Sequence, residues 1–299
     1  MAEPSPLIAS KEIDARPGAA ELAEWYQGRA ALYPWRRGIR EPYRILVCES
    51  MAQQTQASRV ALAFDAWIER FPTVQDLAAA SRADVLRAWQ GLGYNRRALA
   101  LHETAKSIVT NHAGVVPSDI EVLRSFPGVG PYTAAAVASI AFGSPVVALD
   151  TNIRRVAARV LHGAEPDELA PARLRADAQA WLDPSDPGAW NQAVMDVGAA
   201  LCRPRSPHCE RCPLEAVCQF RTLRREGRSS ARSQPVFEGS TRQLRGALVR
   251  VLSQNGPLSI SALSDVIDAA AERVAEAAHA LTNEGLVERT DDGDLRLKE

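Results

Sequence analysis

The stretch Phe126-Pro-Gly-Val-Gly-Pro-Tyr132-Thr133 constrains this chain more than any other. Residues 118–125 and 132–142 on either side both read as helices, and the few residues between them leave room only for a tight hairpin. Gly128 and Gly130 carry no side chain and tolerate φ > 0, with Val129 between them. The pattern predicts bare backbone N–H groups at the start of the second helix, which is a cradle for phosphate. The alternative is a helix–helix turn that packs and binds nothing.

Around the hairpin the apolar period is helical. Val60, Phe64, Trp67, Ile68 and Phe71 mark one face, and Leu99, Leu101, Ile108 and Val109 a later one. Residues 1–18, with three prolines and Gly18, read as a flexible lead-in, and residues 19–220 as an all-α domain broken by a brief extended segment at 146–149. Residues 221–240 carry Arg221, Arg224, Arg225, Arg228 and Pro235 and read as a linker, either a solvated tether or a phosphate contact. Beyond it, residues 241–299 form a separate module: helices at 241–254, 261–268 and 271–284, then a hairpin over 286–297 turning at Asp292-Gly293. No apolar run is long enough to span a membrane and no basic-then-apolar start is present, so a cytoplasmic protein with no membrane partner is expected. Residues 1–236 hold 28 Lys and Arg against 25 Asp and Glu, and residues 237–299 hold 7 against 11. The excess is too small to argue nucleic-acid binding by itself, and any such contact must be local and made chiefly by Arg, since Lys11, Lys106 and Lys298 are the only lysines. The acidic balance of the last module predicts that it packs or binds a protein partner and does not read DNA.

Two carboxylates stand out. Glu49 lies on a helix beginning at Pro42-Tyr43 that is apolar nearly all round. A buried carboxylic acid keeps its proton to higher pH, as a general acid at neutral pH requires; the other reading is a Glu tied to an Arg inside a bundle. Asp150 sits where the extended segment meets the helix Thr151-Asn-Ile-Arg-Arg, an N-cap whose ionised form the helix dipole and free N–H groups favour. One acid with a raised pKa and one kept ionised suit cleavage of a glycosidic bond. Four of the five cysteines, Cys202, Cys209, Cys212 and Cys218, fall within 17 residues. One close pair flanked by two distant singles is unlike the paired spacing of structural zinc, although zinc stays open. Cys48 beside Glu49 reads as a buried apolar thiol.

Together these pieces resemble the adenine DNA glycosylases of the MutY type, in the helix-hairpin-helix superfamily. The resemblance spans residues 20–225 and rests on Trp35-Arg36, Pro42-Tyr43, Glu49 with Gln53-Gln54-Thr55-Gln56, Gly91-Leu-Gly-Tyr94, the hairpin, Leu149-Asp150-Thr-Asn152 and the cysteine spacing. It implies two all-helical lobes with DNA between them and a target base flipped out of the stack. It also implies a [4Fe–4S] cluster on the four cysteines and, in residues 241–299, a winged-helix-like piece of a short form, too small for the Nudix-like domain of many relatives. By the same resemblance Glu49 is the acid that protonates adenine and later activates water, and Asp150 the carboxylate that stabilises the sugar cation. Tyr132 and Asn152 support that chemistry, Trp35 and Arg36 line the base pocket, and Gln54, Thr55 and Tyr94 face the base opposite adenine. The implied partner of this monomer is double-stranded DNA with adenine mispaired to 8-oxoguanine or guanine, and the product is an abasic site. Endonuclease III needs a lysine where this chain has Tyr132, which points to a monofunctional enzyme. Mismatch thymine or uracil glycosylases of the superfamily, with Arg-Arg-Thr in place of Gln53-Gln54-Thr55, are the nearest alternative, and a non-catalytic hairpin DNA-binding protein is another. Ala52, Asn95 and Thr151 depart from the family pattern, which has Leu, Tyr and Gly there.

Overall fold

The computed structural model describes residues 16–29, 33–37, 40–228 and 236–298; residues 1–15 of the expected lead-in and 229–235 of the expected linker lie outside them. The described residues are mostly helical. In chain order α1 covers Ala19–Gln27, α2 Pro42–Ala52, α3 Ala57–Arg70, α4 Val74–Ala79 and α5 Arg82–Ala88. Then come α6 Arg96–Asn111, α7 Ile120–Ser125, α8 Pro131–Phe142, α9 Thr151–His162 and α10 Pro171–Trp181. The last are α11 Pro187–Ala200, α12 Gln219–Thr222, α13 Thr241–Asn255, α14 Ile260–Ile267 and α15 Ala271–Asn283, followed by β1 Val287–Arg289 and β2 Leu295–Leu297. No helix among the described residues is long and apolar enough to cross a membrane.

The chain forms two compact units. The first holds α1 and α9–α12, with α9 packed against α10, α11 and α12. Trp181 and Trp190 meet edge to face at 5.2 Å in its core. The extended segment before α9 joins no sheet. Its backbone is satisfied by two side-chain amides: Gln179 accepts from Val147 N–H and donates to Pro145 O, and Asn191 accepts from Ala148 N–H and donates to Val146 O, all within 2.8–3.0 Å. The linker expected from residue 221 is corrected here. Arg225 and Arg228 are bonded to Gly163 O, Glu168 and Asp167 at 2.7–3.2 Å, so residues up to 228 belong to this unit.

The second unit holds α2–α8 and the module α13–β2. Its aromatic centre is the buried Trp67, edge-on to Phe71 at 5.0 Å and Trp89 at 5.4 Å. α2 starts where Pro42 takes the first helical position and Glu41 caps it, accepting from Tyr43 and Arg44 N–H. It then packs against α8, α3 and α6. In the C-terminal module β1 and β2 pair antiparallel with Val287 opposite Leu297, which sends Val287, Leu295 and Leu297 to the buried face. α13 packs on α14, α15 and β2 and also on α5. The net acidity of the module is unevenly spread: α13 carries Arg242, Arg245 and Arg250 and no acidic residue.

Candidate functional site

Glu49 lies in the middle of α2, 8% exposed, between fully buried Val47 and Met51. A carboxyl group there needs a partner, and Tyr132, at the start of α8, donates its hydroxyl to Glu49 Oε2 at 2.8 Å. Packing α2 against α8 is what brings these two sequence-predicted residues together. Burial pushes the neighbouring Cys48 thiol well above its usual value, Glu49 adds to the shift, and the positive charge of Arg36 opposes it, which puts Arg36 within electrostatic reach of this helix. Trp35 and Arg36 belong to a 3-10 turn, Pro34–Arg36. Trp35 stacks on Tyr33 at 4.7 Å and meets Phe64 of α3 edge-on at 5.8 Å, with the Arg36 guanidinium over the Tyr33 ring.

In the hairpin between α7 and α8 the two glycines take different conformations. Gly128 has φ 74°, and a Cβ there would meet Ala100 Cβ at 2.8 Å, so two separate reasons demand glycine. Gly130 is extended instead, φ −84° and ψ 178°, as the N-cap of α8. Pro131 after it imposes that conformation, because the proline ring clashes with a helical residue before it. Val129 closes the turn, its N–H donating to Phe126 O at 3.1 Å and its side chain buried. Gly128 and Gly130 are both exposed, and the space beside Gly130 is open. Gln53 ties the end of α2 to this turn by donating to Gly128 O at 3.0 Å and Thr133 Oγ1 at 3.2 Å.

Gln54 and Tyr94 both stand in the left-handed region, φ 55° and 48°, on exposed backbone. A non-glycine residue in that region carries strain that the surroundings must hold. Arg97 holds it. Its Nη1 donates to Ser50 O and Met51 O, and its Nη2 to Thr55 Oγ1, Leu92 O and Gly93 O, all at 2.9–3.1 Å. Its guanidinium also lies over the rings of Trp89 and Tyr94. Burial lowers its pKa to about 10, which still leaves it charged at neutral pH. One side chain thus joins the end of the Glu49 helix to Thr55 and to the loop presenting Tyr94. Sequence reasoning missed Arg97, although a signal was present: a cation in the first turn of a helix opposes the macrodipole and needs another reason to be there.

In the other unit, Asp150 caps α9. Its Oδ1 accepts from Ile153 N–H at 2.6 Å and its Oδ2 from Asn152 Nδ2 at 2.9 Å. Arg155 continues the chain, donating from Nη2 to Asn152 Oδ1 and Gly198 O and from Nε to Cys202 O, at 2.7–2.9 Å. A Cβ on Gly198 would meet Asn152 Cβ at 2.5 Å, so α11 must offer glycine for Asn152 to reach the carboxylate. The cap is as expected, but the electrostatics differ. Burial raises the Asp150 pKa, and the bonds from Ile153 and Asn152 and the charge of Arg155 only oppose that rise.

Cys202, Cys209, Cys212 and Cys218 line one pocket. Val156, Val160, Val197, Leu201 and Phe220 supply its apolar wall. Arg159, 1% exposed, crosses its edge, bonded to Glu165, Arg203 O and Pro204 O and donating to Cys202 Sγ at 3.5 Å. Among the described residues no three His, Cys, Asp or Glu side chains converge as a single metal ion demands.

Comparison with known proteins agrees with this layout. The family described as HhH-GPD superfamily base excision DNA repair protein matches residues 47–181, and a second model, described only as HVO_A0114, matches residues 241–298. The adenine DNA glycosylase of Mycolicibacterium smegmatis is 43% identical over 282 residues, covering 93% of this chain and 94% of that protein. That of Mycobacterium tuberculosis H37Rv is 41% identical over 285 residues, 92% of each. The human adenine DNA glycosylase is 41% identical over 210 residues, 67% of this chain and 38% of that protein. Among solved structures, a thermostable thymine-DNA glycosylase superposes with a TM-score of 0.62 at 28% identity, covering 68% of this chain and 94% of that one. An endonuclease III in a non-covalent DNA complex gives 0.58 at 22% identity over 69% and 95%, a likeness of fold. The chain belongs to the adenine DNA glycosylase family, built on the helix-hairpin-helix base-excision fold.

Proposed function

We propose that this chain excises adenine mispaired with 8-oxoguanine or guanine in double-stranded DNA, by hydrolysis and without strand cleavage. The observation that carries it is the bond from the Tyr132 hydroxyl to Glu49 in a helix otherwise apolar, in a chain so similar to adenine DNA glycosylases over most of its length. Glu49, protonated, gives its proton to N7 of adenine. The C1′–N9 bond then breaks with its electron pair leaving on the base, and the Asp150 carboxylate offsets the positive charge formed on the sugar. Water adds to C1′ and returns a proton to Glu49, leaving free adenine and an abasic site. Tyr132 has no amine, so no Schiff base forms with the sugar. Gly128 and Gly130 N–H groups hold a backbone phosphate, and Gln54, Thr55 and Tyr94, fixed by Arg97, meet the base opposite adenine. Single-turnover base release on duplexes with A opposite 8-oxoguanine, G or C, and with T or U opposite G, tests this reading. Adenine should leave fastest from the first two; faster release of thymine from the G mismatch would assign the chain to the thymine-directed chemistry of its structural neighbour.

Four cysteines lining one apolar pocket, with Arg159 donating to Cys202 Sγ, support a [4Fe–4S] cluster held by Cys202, Cys209, Cys212 and Cys218. Residues 241–298, three helices and a hairpin, fit a winged-helix arrangement. Protein purified anaerobically should be brown and carry about four irons per chain. Stoichiometric zinc without iron would reject the cluster.

A further inference from the structure

The C-terminal module is fastened to the segment that ends in Tyr94. Arg87 of α5 donates to Ser253 O at 3.3 Å, Gln90 is hydrogen-bonded to the Ser253 hydroxyl, and Arg82 donates to Gly285 O at 3.1 Å. The loop after α5 is closed by Trp89, whose ring N–H donates to Gly93 O at 3.0 Å, and Tyr94 follows. At that point α13 returns to the same residue: Arg242 Nη1 donates to the Tyr94 hydroxyl at 3.4 Å, and the Arg242 guanidinium lies over the Phe237 ring at 5.1 Å. Tyr94 is 43% exposed and strained, with the Arg97 guanidinium over its ring and that of Arg242 at its hydroxyl. Arg245, one turn further along α13, is bonded to Glu284 at 2.6 Å.

We propose that Arg242 binds a phosphate of the strand carrying the base opposite adenine and, through the Tyr94 hydroxyl, sets how Tyr94 meets that base. This rests on the adenine-glycosylase reading and assigns the C-terminal module a part in it. A guanidinium is charged at every working pH and has five donors in a rigid fork, so one such group serves several acceptors at once. Arg242 is thus a specificity residue supplied by the module whose summed charge argues against DNA contact.

The test uses the full chain as wild type, Arg242→Ala, Arg242→Lys, Arg250→Ala, Tyr94→Phe and the Arg242→Ala/Tyr94→Phe double variant. Binding to an uncleavable duplex is measured against salt, and adenine release is compared between partners 8-oxoguanine and G. Arg242→Ala should lower the slope of log affinity against log salt by about 0.9, one phosphate contact. It should also change the 8-oxoguanine over G ratio by more than about threefold, that is by more than about 0.65 kcal/mol. Arg242→Lys should keep the slope but lose the ratio, because an ammonium holds the phosphate and not the phenol geometry. Tyr94→Phe should change the ratio less in the Arg242→Ala background than alone. Arg250→Ala, at the far end of α13, should leave the slope unchanged. Wild-type slope and ratio in Arg242→Ala, or an equal loss of slope in Arg250→Ala, would overturn the proposal. If the wild type releases no adenine at all, the functional reading fails, while the salt slopes still decide whether Arg242 touches the duplex.

Discussion

Glu49→Gln is expected to cut single-turnover adenine release at least about 100-fold while affinity for an uncleavable duplex stays near wild type. The amide matches the carboxyl in shape, and its oxygen can still accept from Tyr132, so the bond that holds the side chain in place is kept. What disappears is the proton given to the base and the carboxylate that takes one back from water. Burial argues for the same outcome, since at 8% exposure bulk solvent is poorly placed to substitute as acid. A rate within a few-fold of wild type would remove Glu49 from the chemistry.

Asp150→Asn is expected to produce a rate loss of similar size, at least about 100-fold, together with a gain in stability. Asn caps helices as well as Asp, so the bond to Ile153 N–H has a replacement acceptor. The carboxylate, in contrast, is destabilised by its burial. With its folded pKa raised above the ordinary 3.8, the stabilising contribution of Asp150 is complete below that value and is lost as pH rises through the folded pKa. At neutral pH its charge therefore weighs against folding, and removing the charge should raise the melting midpoint at pH 7 more than at pH 4. A residue kept for function at the expense of stability behaves this way. A lower midpoint at pH 7 would show instead that the bonds from Asn152, Ile153 and the charge of Arg155 outweigh burial.

Much of the site was legible because its signals are local. Glu49 in an apolar helix, Asp150 ahead of a helix and four cysteines in 17 residues depend on periodicity, capping chemistry and spacing, each set within a few turns of chain. The two glycines of the hairpin were legible only in part. Both tolerate φ > 0, but Pro131 forces Gly130 to be extended and leaves the left-handed turn to Gly128 alone.

What the sequence determined by itself, then, is the inventory of groups and the helical frame: hairpin, caps, buried carboxyl and cysteine set. The tertiary structure decided which of them meet. Tyr132 and Glu49 are 83 residues apart and touch because α2 packs on α8. Arg97 gathers Ser50, Thr55 and Gly93, and nothing local marks those as its partners. Arg225 and Arg228 look like a solvated tether until Asp167 and Glu168, about 60 residues earlier, are folded against them. The C-terminal module is acidic in sum, yet docking on α5 turns its one wholly basic helix toward Tyr94. Charge summed along a chain carries no direction, and only packing decides which side of a module faces its neighbour.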